Sequence, residues 1–112
     1  MRFVSVPSRR GAGIVARAGS DGLVWAWRSL PAGPGWHAAP ACLFVPAASW
    51  PAASALARRA AGLGLRVWVR SGDAGSPVFA ACGLPVPPFA VKVALPAGMS
   101  AAQARAALGL SS

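Results

Sequence analysis

Apolar and polar residues alternate clearly in several stretches of the chain, and these predict its strands. Ile14–Ala18 (IVARA) and Leu23–Trp27 (LVWAW) flank the turn Gly19-Ser20-Asp21-Gly22. Asp-Gly is a preferred pair for a two-residue type I′ hairpin, because both central residues need positive φ. Pairing around Ser20-Asp21 or Asp21-Gly22 puts Ile14, Ala16, Leu23, Trp25 and Trp27 on one face. Val15, Arg17, Val24, Ala26 and Arg28 then occupy the other. Leu65–Arg70 sets Leu65, Val67 and Val69 against Arg66, Trp68 and Arg70. Phe89–Leu95 sets Phe89, Val91, Val93 and Leu95 inward and Lys92 outward. Shorter apolar runs at Arg2–Val6, Ala41–Val45 and Pro77–Cys82 read as a first strand, an inner strand and an edge strand.

Helical spacing occurs twice. Ser49 is placed to cap a helix with Pro51 in its first turn, a tolerated position. Ala53, Leu56, Ala60 and Leu63 form its inner stripe, and Gly62 and Gly64 end it. Ser100-Ala-Ala-Gln103 has capping-box spacing and opens a short helix ending near Leu108-Gly109. The strand–helix–strand order over residues 41–70 fits a right-handed crossover between parallel strands. The loop Pro31–Pro40 (PAGPGWHAAP) is too rich in Pro and Gly for an element. The pattern predicts an α+β fold: a small single domain with a five- to six-stranded mixed sheet that starts with a β-hairpin. It also carries one βαβ-like crossover and a short C-terminal helix.

Composition changes this picture in two ways. The chain has 112 residues, one domain's worth, and residues 1–12 read as a flexible basic arm. Its apolar fraction is 55%, but much of that is Ala, so five Trp and four Phe must supply much of the core. Charge is the less usual property. Eleven basic residues face only Asp21 and Asp73, a net charge of +9, and ten of the eleven are Arg. A GC-rich coding bias accounts for Arg in place of Lys but not for the scarcity of Asp. Few Arg can therefore be neutralised within the chain, and such a field attracts polyanions.

Several functional classes are excluded on the same basis. No secretory h-region is present in Met1–Gly19. The long uncharged stretches Ala38–Ala57 and Ala74–Val91 each contain several prolines, which would break a spanning helix, so no membrane span is expected. Cys42 and Cys82 read as small buried hydrophobes in a reducing compartment, with a bridge open only if their strands are neighbours. Gly11–Ala16 (GAGIVA) matches a G-x-G-x-x-A string, but a hairpin rather than a helix follows it, and no acidic residue is suitably placed. His37 is the single His, and Asp21 and Asp73 sit in Gly-flanked turns, so no catalytic set or metal-ligand spacing forms. No enzyme activity and no cofactor are expected.

What remains is basic and aromatic interleaving. Arg66, Trp68 and Arg70 line one strand face, Arg17 and Arg28 share a face of the hairpin, and Arg9 and Arg10 precede it. Arg bonds phosphate through a planar fork, and an exposed Trp among cations offers a stacking platform. These residues predict a small nucleic-acid-binding protein, for DNA or RNA, favouring single strands or low sequence specificity. Arg58 and Arg59, near a helix C-terminus, read as complements to the helix dipole. A cytoplasmic or nucleoid-associated protein of phage, mobile-element or ribonucleoprotein type suits this size and charge. The alternative is a protein-interaction module gripping an acidic partner; Leu84–Phe89 (LPVPPF) reads first as a rigid loop and second as a docking segment. A self-assembling homo-oligomer with Trp36 and Trp50 at its interface is the third reading.

Overall fold

A computed structural model describes residues 3–6, 14–31, 33 and 38–110, without the side chains of residues 72–76. Six strands form one sheet: β1 (Val4–Val6), β2 (Ile14–Ala18), β3 (Val24–Trp27), β4 (Cys42–Ala47), β5 (Val67–Ser71) and β6 (Phe89–Ala94). Their order is β1-β2-β3-β4-β6-β5, and every neighbouring pair is antiparallel. The α+β class is as the sequence predicts, whereas the mixed sheet is not. β4 and β5 do run parallel through the crossover helix, but β6 lies between them. The crossover therefore joins strands that never pair with each other.

The hairpin register differs from expectation by one residue. The Gly19 amide donates to the Leu23 carbonyl and the Gly22 amide to the Gly19 carbonyl. Gly22 sits at φ 83°. This is a three-residue loop, a tight turn closed by a left-handed Gly, rather than the two-residue turn that Asp-Gly suggests. One extra loop residue moves every side chain of a strand to the opposite face relative to its partner. Arg17 consequently pairs with Trp25, and Ala16 with Ala26.

One sheet face carries Trp25, Trp27, Leu43, Val45, Val91 and Val93, all buried, with Val67 and Val69 packed against them. Helices α1 (Trp50–Gly62) and α3 (Ala101–Leu108) cover it through Ala53, Ala60, Ala101, Ala104 and Leu108. Ser49 caps α1 by accepting the Ala52 amide. Ser100 and Gln103 form the reciprocal capping box at α3. Leu63, expected on the inner stripe of α1, is the C-cap residue and is 49% exposed.

The other face carries Val6, Ala16, Val24, Ala26, Phe44 and Ala90. It is covered by α2 (Gly72–Ala81), which lies where the sequence predicts a loop and then an edge strand at Pro77–Cys82. The reason is visible in the burial. Val78 and Phe79 are adjacent yet both buried on one cluster, which a helix permits and a strand with one packed face does not. The result is a three-layer arrangement, with two helices on one face and one on the other.

The three helices among the described residues stop in the same way. Leu65 donates its amide to the Ala60 carbonyl, Leu84 to Phe79 and Leu110 to Arg105. The residue before each Leu is a Gly at φ 80°, 74° and 69°, respectively. Each is a Schellman-type closure in which the left-handed Gly lets the chain fold back onto the last turn.

Candidate nucleic-acid interface

α2 packs against β1, β5 and β6 and leaves one corner of its face of the sheet open. The strand registers identify the residues there. Phe44, Lys92 and Trp68 stand side by side across β4, β6 and β5, and in the adjacent row Cys42 stands beside Ala94. The Ala94 amide donates to the Arg66 carbonyl, which extends that row to Arg66. Phe44 is buried, Cys42, Lys92 and Trp68 are half-buried, and Arg66 and Arg70 are exposed.

Trp68 is the centre of this corner. The Arg66 guanidinium carbon and the Lys92 Nζ each lie 5.2 Å from its ring centroid. Lys92 Nζ is also 5.9 Å from the Phe44 ring. Both distances are within cation–π range, so the indole gathers two positive charges onto one spot. The stripe predicted from β5 is therefore present, with Arg66, Trp68 and Arg70 on the same face. It is joined by Lys92 from β6. The alternation of residues 89–95 identifies Lys92 as outward, but not that β6 lies beside β5.

Arg28 follows the last residue of β3, is exposed, and borders a cleft of about 520 Å³ formed with Pro31, Pro40 and Gly98. Beside the same corner, burial pushes the Cys42 thiol up, and the charges of Lys92 and Arg28 partly offset that rise. Cys82 is also raised by burial. Both thiols are free.

Arg17 does not belong to this set. The shifted hairpin register puts it opposite Trp25 on the face covered by α1 and α3, with its guanidinium 5.3 Å from the Phe3 ring. Arg17 and Arg28 thus do not share the face that a two-residue turn would give them. Arg58 donates to the Ser54 hydroxyl, and Arg59 lies in the last turn of α1 with its guanidinium against Gly109. Arg9, Arg10, Trp36 and His37 lie outside the described residues, as does the glycine pair Gly11 and Gly13. Ile14–Ala16 belong to a strand, the wrong element to follow a phosphate-binding loop.

Among the described side chains Asp21 is the sole carboxylate, and it lies elsewhere. It is paired with Arg105 of α3, whose guanidinium also sits 5.3 Å from the Trp25 ring. Burial tends to raise its pKa, but the Arg105 hydrogen bond, the Leu23 amide and the Arg105 charge together hold it below 3.8. Nothing acidic among the described side chains therefore answers Arg66, Lys92 or Arg28. No group of three or more His, Cys, Asp or Glu comes together among the described residues, and no described helix is long and apolar enough to cross a membrane. Compared with known proteins, the chain matches no family model, no curated protein and no solved structure.

Proposed function

We propose that this is a small non-enzymatic protein that binds nucleic acid through the open corner of its sheet. The carrying observation is the gathering of Arg66 and Lys92 around the half-buried Trp68 ring, on a face without a described carboxylate. Two cations held close together repel each other, and a bound phosphate relieves that repulsion. The ring supplies an apolar face for one base once a cation has moved onto a phosphate. Arg28 flanks the corner on the side away from α2, whereas Arg70 stands opposite the α2-covered Ala90, outside the proposed contact.

Three features support low sequence specificity. The cations are gathered on the Trp68 ring, a placement suited to phosphate and stacking contacts rather than to a fixed pattern of base edges. The corner is a surface of strands β4, β5 and β6, not of a helix presented to a major groove. A flat aromatic ring accepts any unstacked base, which a single strand offers and a duplex interior does not.

The test is a titration of labelled single- and double-stranded oligonucleotides over a salt series. Affinity should fall steeply with salt, and Arg66→Ala and Lys92→Ala should each make that dependence shallower. A protein that binds neither form at low salt would remove this reading. It would leave an acidic protein as the partner of the same corner.

A further inference from the structure

The open corner has a direction as well as a charge. Cys42 on β4 and Lys92 on β6 are diagonal neighbours, because Cys42 pairs with Ala94 and Phe44 pairs with Lys92. Diagonal neighbours of this kind stand about 7–8 Å apart. Trp68 continues the line one strand further, directly beside Lys92. At the other end the line points to Arg28, two residues beyond Ala26, the β3 partner of Cys42. By register Cys42 stands between the rows that lead to Arg28 and to Lys92, and the charges of both act on its thiol. Arg28, Cys42, Lys92 and Trp68 therefore form one line across four strands, diagonal from Arg28 to Lys92 and straight across from Lys92 to Trp68.

The other exit from Trp68, towards Arg70, is less open. Arg70 is opposite Ala90, which is buried under Val78 and Phe79 of α2. The chain enters α2 at Gly72, immediately past the end of β5. A ligand leaving Trp68 that way runs onto the helix, whereas the Arg28 end opens into the cleft beside Pro31 and Gly98.

We infer that a bound single strand crosses the sheet along this line, with phosphates on Arg28 and Lys92, a base on Trp68 and the Cys42 thiol beneath the backbone between them. This assignment rests on the nucleic-acid reading and deepens it by naming a single strand as the ligand and giving its path. It makes Cys42 a reporter rather than a participant: no bond to sulfur forms, and the thiol is merely covered.

The experiment uses the intact protein and a fluorescein-labelled oligothymidylate, with anisotropy to follow binding. Iodoacetamide alkylation, read by mass spectrometry, follows Cys42, with Cys82 as the internal control. Saturating oligonucleotide should slow alkylation of Cys42 severalfold and leave Cys82 unchanged. Arg28→Ala and Lys92→Ala should each lower the slope of log affinity against log salt by about 0.7, the value of one single-strand phosphate. Arg70→Ala should leave that slope where it was. Salt-dependent binding with Cys42 unprotected, or with the slope following Arg70 instead of Arg28, would overturn the path while the nucleic-acid reading stands. Absence of any oligonucleotide binding at low salt would overturn both.

Discussion

Lys92 stands directly across from Trp68 on the neighbouring strand, with its ammonium as close to the indole centroid as the Arg66 guanidinium is, 5.2 Å in each case. The pairing gives an antiparallel ladder a local excess of positive charge that the indole's quadrupole offsets, with the Phe44 ring adding a weaker share at Lys92. Trp68→Ala should therefore act twice. It removes the stacking surface, which should weaken oligonucleotide binding by about 1–3 kcal/mol, and it leaves two cations without their shared acceptor. Trp68→Phe should recover part of the affinity. Anisotropy titrations of both variants check this, and unchanged binding by Trp68→Ala would exclude the ring from the interface.

Asp21 links the hairpin turn to α3 through Arg105, and its depressed pKa has a definite sign. The folded protein holds the carboxylate more tightly ionised than the unfolded chain does. The pair therefore contributes stability above pH 3.8, and that contribution is lost as pH falls through the lower folded value. Because both partners are partly exposed, Asp21→Asn should cost no more than about 1 kcal/mol near neutral pH. Urea melts of the two proteins should converge on acidification below pH 3.8. A gap that persists there would mean that Asp21 does not act through its charge.

The shared helix stop can be probed at Gly83, where an added Cβ meets nothing within 4 Å. Gly83→Ala thus isolates the backbone cost of a left-handed conformation, about 1–2 kcal/mol. Gly109→Ala adds a contact, since its Cβ would come within 2.9 Å of the Arg59 guanidinium carbon. That contact involves the far end of a flexible side chain, so Arg59→Ala should bring the Gly109→Ala cost back to the Gly83→Ala value. Thermal melts of the single and double variants provide the comparison.

Phe79 tests the third layer. Its ring is 1% exposed against Val24, Phe44 and Ala90. Phe79→Ala should destabilise the fold by about 3–5 kcal/mol, whereas substitution of the exposed Ala80 should be nearly silent. Equal, small effects at both positions in denaturant unfolding would be inconsistent with α2 packing on the sheet.

How much was legible in the sequence depended on whether a signal was local. The capping box at Ser100, the cap at Ser49 and the alternation of Phe89–Leu95 depend on neighbours in the chain, and the structure shows all three. The hairpin was legible as a hairpin, but its loop length was not, because Asp-Gly also suits a turn with one more residue. That single residue moved Arg17 away from the other cations. α2 was missed because Pro77 and the small residues around it suggest breakage, although Cys82-Gly83-Leu84 repeats the ending seen at Leu63-Gly64-Leu65. The candidate site was half legible. Arg66, Trp68 and Arg70 share a face through local alternation, but Lys92 joins them only because β6 inserts beside β5. No local pattern encodes that insertion.

The insertion of β6 between β4 and β5 also sets an order of assembly. β4 and β5 emerge from the ribosome well before Phe89, and among the described residues β5 has no sheet neighbour other than β6. Until residues 89–94 arrive, the nascent chain has two unsatisfied edges where the finished sheet has a seam, and such edges invite pairing between chains. Truncation ahead of Phe89 should therefore yield aggregation rather than a smaller soluble fold. With β6 in place, the strand that creates the cationic corner is the same one that closes the sheet.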